Sequence, residues 1–201
     1  MMNRNKKRQA LAHVKHCRRR EVFEPPVCEI RASQKHGLGV FATRDIGPCE
    51  LLTFYPADEV LWWPDYSETP AHALSTGLQL EALHELLDYS ASVGECAGHP
   101  MEILGDPTNI EDPWFLGHMA NDACQMTKPH QGEIYEKASE AGANAAICDY
   151  HMGHGSKKMG LFSRRPIQKG EEITVHYGRS YWERKVARDM PECSMDLNAM
   201  D

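Results

Sequence analysis

The chain has 201 residues, 41% of them hydrophobic, and a formal charge of −7. That length and apolar content suit one globular domain with a core, and 15 Gly with 12 Pro exclude a low-complexity chain. No stretch approaches the roughly 20 apolar residues that span a bilayer, and the N-terminus has no signal-peptide core, so the expected setting is intracellular with no membrane contact.

Positions 1–20 carry eight Lys/Arg and no acid; the remainder holds 14 bases against 29 acids. A +8 arm therefore precedes a −15 body. The arm, residues 1–24, reads as a flexible or helical tail. KKR and CRRR fit a nuclear address or a weak nucleic-acid contact; a plain solvated tail is the alternative, as is a cytoplasmic location. The acidic body is expected to attract a cationic partner such as a Lys-rich peptide. Pro25-Pro26 ends the arm. Seven dispersed cysteines with no CxxC read as reduced thiols, not a disulfide framework.

From Val27 to Tyr55 the chain is β-like: CEIRAS, GVFATRDI and ELLTFY, separated by turn signals. Leu74, Leu78, Leu83, Leu86 and Leu87 recur at helical spacing, which predicts a helix within 72–90. Pro100, Pro107 and Pro113 then predict loops. EIYEKASEA (133–141) predicts a short helix. β signals return in AAICDY, MGLFSRRPI and EEITVHY. Two segments echo each other. GVFATRDI (39–46) and GLFSRRPI (160–167) share Gly, Phe, Arg and Ile, and the same offset of 121 aligns Glu50 with Glu171. The echo suggests two similar strand–turn–strand units flanking an inserted middle; a chance likeness is the alternative.

Gly37-Leu38-Gly39 is a GxG. It has no third glycine and no helix after it, and no GxxxxGK[ST] is present, so phosphate binding drops out. Two glycines still let backbone approach a ligand, or make an ordinary turn. Three further stretches follow it: LLTFYP (51–56), WFLGHMANDAC (114–124) and KGEEITVHYGRSYW (169–182). In this order the set resembles the SET-domain protein lysine methyltransferases over about residues 28–182.

The resemblance implies a mainly β fold with an α insert (α+β): a SET-type β-clip of small sheets with a C-terminal pseudoknot, an exception to unthreaded chains. It implies a domain over 25–185, with a helical insert at 57–113 that helps hold the substrate, an additional insert at 125–142, and a tail at 186–201. It also implies transfer of a methyl group from S-adenosyl-L-methionine to a lysine amine, leaving S-adenosyl-L-homocysteine. The substrate would be a basic protein or peptide, in the first instance a histone tail. Tyr177 matches the catalytic tyrosine, and Tyr55 the aromatic lining the lysine channel. Phe54 is a second channel candidate, although strand alternation sends it to the other face. Ile147 and Val175 fall where channel-lining residues set the number of methyls. Lys35, His36, Gly37, Leu38 and Gly39 would lie against the methionyl end of the cofactor. Asn121 would accept from its ammonium, and Trp182 could stack on adenine. The competing readings are a core Tyr177, a core Trp182 and a plain Asn121-Asp122 turn.

The chain departs from the family pattern at Asp122, where His is usual, and at Ala123, where Ser is usual. Ala143-Asn144 takes the place of a Pro-Asn only after the 125–142 insert. These departures keep two other readings open: a SET-like binding module without activity, and a lysine methyltransferase for a non-histone protein. No metal is expected. Cys148, His151 and His154 form the one local set of ligand types, and loop histidines explain it better.

Overall fold

The computed structural model describes residues 26–62, 71–72, 87–96, 99–128, 131–152 and 156–189. The basic arm, the end of the tail and residues 73–86 of the helix predicted within 72–90 lie outside them; at its edges His72 and Ser90 are in strands and Leu87–Tyr89 is a 3-10 turn. Three small sheets carry the fold. The first has the order β1-β2-β11-β8, built from Cys28–Ala32, Leu38–Ala42, Glu172–Val175 and Asn121–Asp122. The second has the order β3-β10-β9, built from Leu51–Phe54, Ser156–Ser163 and Ala145–Met152. Val40, Ile46, Leu52, Leu161, Ile167 and Ile173 meet between these sheets, each almost fully buried. Val40 and Ala42, two residues apart on β2, turn the apolar face of that strand inward.

The sequence echo is a structural pseudo-symmetry. Ile46 and Ile167 exchange backbone hydrogen bonds at 2.9 and 3.0 Å. Cys49 N donates to Ser163 O, and Gly170 N to Ala42 O, each pair 121 residues from its mate. Arg44 pairs with Glu50 and Arg165 with Glu171, both at 2.8 Å. The units also exchange strands. β2 of the first pairs with β11 of the second, and β10 of the second pairs with β3 of the first.

The middle of the chain departs from expectation. Within 57–113 the described residues form a third sheet and one 3-10 turn, Leu87–Tyr89. The sheet has the order β5-β4-β7-β6, with β4 Glu59–Trp62, β5 Ala71–His72, β6 Ser90–Cys96 and β7 His99–Leu104. Apolar residues cover both of its faces: Val60 and Ile103 pack with Tyr55, and Leu61 and Leu104 with Leu87. Two-sided burial removes the alternation by which a strand is read from sequence. Pro100, expected in a loop, lies in β7 opposite Glu95, beside a register shift that tolerates it.

The predicted short helix is present as α1, Gly132–Gly142. A second helix, α2 (Arg179–Asp189), was not expected and overruns the domain end placed at 185. Its Trp182 and Val186, four residues apart, bury against Met126 and Tyr135. Asp88 ties α2 to the middle segment through Lys185 and Arg188, each at 2.8 Å. Asn144 closes the fold near β11. Its amide donates to Glu172 O and accepts from Thr174 N, both at 2.8 Å.

Cys49 sits at φ 62, and its symmetry mate Gly170 at φ 82. Left-handed backbone costs a residue with a Cβ roughly 1–2 kcal/mol. Cys49→Gly is expected to be neutral or stabilising by up to about 1 kcal/mol, and Gly170→Ala to destabilise by about 1 kcal/mol, in urea unfolding. The opposite ranking would sink the strain argument.

Candidate active site

The GxG supports Asn121 rather than a phosphate. Asn121 Nδ2 donates to His36 O at 3.2 Å, Leu38 O at 3.0 Å and Glu172 Oε1 at 2.8 Å. A Cβ on Gly39 would run into Glu172 Oε1 and lie 2.9 Å from Asn121 Nδ2. Gly39 therefore makes room for the Asn121–Glu172 pair and is not among the cavity-lining residues. Gly37, at φ 49, faces open space and lines a cavity of about 240 Å³ with His36, Leu38 and Asn121. With Nδ2 committed, the Asn121 group left for a ligand is its acceptor Oδ1. Lys35 is turned elsewhere: its Nζ donates to Ala123 O at 3.0 Å.

Asp122 is buried beside this cavity and accepts five hydrogen bonds. Its Oδ2 takes the hydroxyl of Tyr135 at 2.5 Å, the indole N–H of Trp182 at 2.7 Å and the backbone N–H of Tyr177 at 3.3 Å. Its Oδ1 takes the Ser139 hydroxyl and the backbone N–H of Cys124. Tyr135 and Ser139 stand four residues apart on α1. The two departures from the family pattern are thus one arrangement: the 125–142 insert supplies donors for the carboxylate at 122. Burial and the Asp122 carboxylate push the Tyr135 hydroxyl up from its ordinary pKa. Trp182 touches the cavity, but its N–H is spent and its ring packs edge-on against Tyr135 and Tyr181. It anchors the core more than it offers a stacking face.

A second cavity, about 380 Å³, adjoins the first. Asp88, His118, Tyr177 and Tyr181 line both. Tyr55 and Ile147 line only the second. Tyr177 therefore stands at the junction, its hydroxyl donating to Ala120 O at 2.8 Å. Burial, then the neighbouring Tyr181, Tyr55, Asp122 and Tyr89, raise the Tyr177 hydroxyl well above its ordinary pKa. Burial, then Glu102, Tyr181 and Tyr89, do the same to Tyr55. Both phenols stay protonated at neutral pH. His118 is also buried, which lowers its pKa despite a hydrogen bond to Asp106 O.

Phe54 and Val175 line neither cavity. Phe54 points to the other face of β3, against Phe115, Tyr150 and the Lys158 ammonium. Val175 is in the main core. The placement of Phe54, next to Tyr55, follows from strand alternation. Cys148 is exposed on β9, while the side chain of His151 and all of His154 lie outside the described residues. Sequence reasoning passed over Tyr135 and Ser139, legible as one face of the predicted helix, and His118, Tyr181 and His176. The last lies inside the quoted EEITVHYG yet carried no signal of its own.

Residues 37–178 match the family model of the SET domain, so the chain belongs to the SET-domain family, the family of lysine methyltransferases that the sequence resembles. Similar solved structures include a candidate histone methyltransferase of Plasmodium falciparum, at 19% identity and TM-score 0.43, covering 79% of this chain and 99% of that one. CpSET8 from Cryptosporidium matches at 16% identity and TM-score 0.44, covering 74% and 56%. No curated protein sequence matches the chain significantly. Among the described residues no helix is long and apolar enough to cross a membrane.

The Asp122 arrangement makes a stability prediction. In Asp122→Asn one oxygen becomes an NH₂, and at least one buried donor faces another donor. The expected loss is about 2–3 kcal/mol in urea unfolding. A loss below about 0.5 kcal/mol would show that the five contacts are not held in solution.

Proposed function

We propose that the protein is an S-adenosyl-L-methionine-dependent protein-lysine N-methyltransferase acting on a basic segment, in the first instance a histone tail. One observation carries the reading: two cavities of different character meet at Tyr177. The first offers the Asn121 acceptor and the backbone of 36–38, a set that fits the methionyl end of the cofactor. The second has Tyr55, Ile147 and Met159 among its lining, a set that fits a lysine side chain. When bound, the cofactor supplies an activated sulfonium methyl group. The chain's own residues align, desolvate and neutralise the amine.

A free lysine has a pKa of about 10.4, so it enters as an ammonium. Burial among tyrosine rings and Ile147 favours the neutral amine. The Tyr177 and Tyr55 hydroxyls are neutral at physiological pH and so act as hydrogen-bonding groups that orient the nitrogen, not as bases. In-line placement at the junction supplies much of the remaining rate. The −15 body and the Glu102 carboxylate in the second cavity favour a cationic substrate over an acidic one.

Calorimetric titration with S-adenosyl-L-methionine and radiolabelled methyl transfer to histones test the reading. Tyr177→Phe is expected to bind the cofactor within about tenfold of wild type and to lose about 10²–10³-fold in transfer, as for removal of one preorganised hydrogen-bonding group. Neither binding nor transfer by the wild type would leave a SET-like binding module. Transfer to another basic protein with none to histones would redirect the substrate. The basic arm is proposed as a nuclear address; deletion of residues 1–24 should abolish nuclear enrichment, and unchanged enrichment would refute it.

A further inference from the structure

With both phenols neutral, neither takes the proton from the substrate ammonium. We propose that His176 is the proton acceptor, held in position by a Ser139–Asp122 relay. The inference deepens the methyltransferase reading and rests on it for the identity of the substrate. The geometry stands independently of it.

His176 lines the second cavity. Its Nδ1 lies 3.0 Å from Ser139 Oγ, and its ring stacks on Tyr135 at 5.6 Å with 25° between planes. Ser139 has a single hydroxyl proton, and that proton is donated to Asp122 Oδ1. A carboxylate is acceptor-only, and the other contacts to Asp122 all come from donors. Ser139 Oγ must then accept from His176, which places the imidazole proton on Nδ1. The other ring nitrogen, Nε2, is left with its lone pair. It has no partner among the described residues, and we take it as the nitrogen that serves the cavity His176 lines. The order carboxylate–hydroxyl–imidazole fixes the tautomer and favours the imidazolium once it forms, as a carboxylate partner does for a catalytic histidine.

The step balances. One N–H bond of the substrate ammonium breaks, and its electron pair stays on the amine nitrogen. The proton adds to the Nε2 lone pair, giving an imidazolium whose Nδ1–H remains on Ser139. The proton then passes to solvent and restores the neutral ring. Facing His176 are Tyr135 and Ser139 from α1, with Asp122 behind them. Asp88, Glu102, Arg184, Tyr55, Tyr177 and His118 line the same cavity. Burial keeps the two phenols and His118 uncharged at neutral pH. An imidazole is the side chain suited to exchange a proton there.

Two measurements test this, and the first needs neither cofactor nor substrate. Long-range proton–nitrogen correlation NMR of the full chain, assigned with His176→Gln, should show Nδ1 protonated and Nε2 bare at pH ~8. An Nε2–H tautomer overturns the proposal. The second is the pH dependence of kcat under saturating cofactor. The wild-type rate should rise through one ionisation and then level. His176→Gln should be slower by about 10²-fold at pH 7, with cofactor affinity unchanged, and should keep climbing with pH as hydroxide replaces the imidazole. Ser139→Ala should show a smaller loss and a displaced ionisation, which covers the case of a poorly folded His176→Gln. Wild-type kcat and pH profile in both variants overturn the proposal and leave the methyltransferase reading intact. A wild type that binds no cofactor and transfers no methyl overturns that reading, and the NMR result then decides the relay alone.

Discussion

The hydrogen bonds to Asp122 are the constraint around which the site is organised. A buried carboxylate is costly unless its lone pairs are used, and here donors reach it from the 123–124 turn, from α1, from the end of β11 and from α2. Each side of the arrangement needs the other. Without Asp122, the hydroxyls of Tyr135 and Ser139 and the indole of Trp182 would be buried without an acceptor. Without α1, an aspartate at this position would lose two of its five donors. The backbone N–H of Tyr177 is one of those donors, so the network sets where the catalytic candidate sits as well as holding the helices. His176 follows in the same chain of contacts through Ser139.

The exchange of strands between the pseudo-symmetric units explains why a site forms where it does. β2 and β11 pair across units, and so do β3 and β10. Tyr55 follows the end of β3, Tyr177 lies just beyond β11, and Asn121 opens the two-residue β8. These positions are the ends of the ladders, where side chains leave the packed sheet together. Asn144, Glu172 and Asn121 supply side-chain hydrogen bonds beside the short pairings around β11. Gly39 is required there because a Cβ would displace that joint.

Much of this was legible in the sequence, and the unreadable parts have identifiable causes. The order of GLG, LLTFY, GHMAN and GEEITVHYG located the family, and Asn121, Tyr55, Ile147 and Tyr177 reach the two cavities. The Gly39/Gly160 echo marked a pseudo-symmetry that the backbone bonds bear out pair by pair. The third sheet was not legible, because Val60, Leu61, Ile103 and Leu104 are buried on both faces and show no alternation. Phe54 and Val175 were assigned by motif position; alternation against Tyr55 turns Phe54 away, and Val175 is taken up by the main core. Asp122 looked like a defect because its donors lie 13, 17 and 60 residues away along the chain. No local pattern connects them.

For the lysine proposed as substrate, the second cavity contains opposing influences, and their balance favours a neutral amine. A single uncompensated carboxylate near a surface attracts an ammonium by roughly 4 kcal/mol at 4 Å, enough to hold it charged. Two carboxylates, Asp88 and Glu102, line this cavity. Asp88 is already paired with Lys185 and Arg188, which hold its carboxyl below its ordinary range although burial pushes the other way. Arg184 lines the same space as Glu102 and opposes it. What remains is a weakly negative chamber walled by uncharged phenols and Ile147. Such a chamber admits a cation without trapping it, and desolvation then decides its protonation. The amine can lose its proton only if a nearby group receives it. In the proposed reaction that requirement gives His176, backed by Ser139 and Asp122, a role that the neutral Tyr55 and Tyr177 cannot fill.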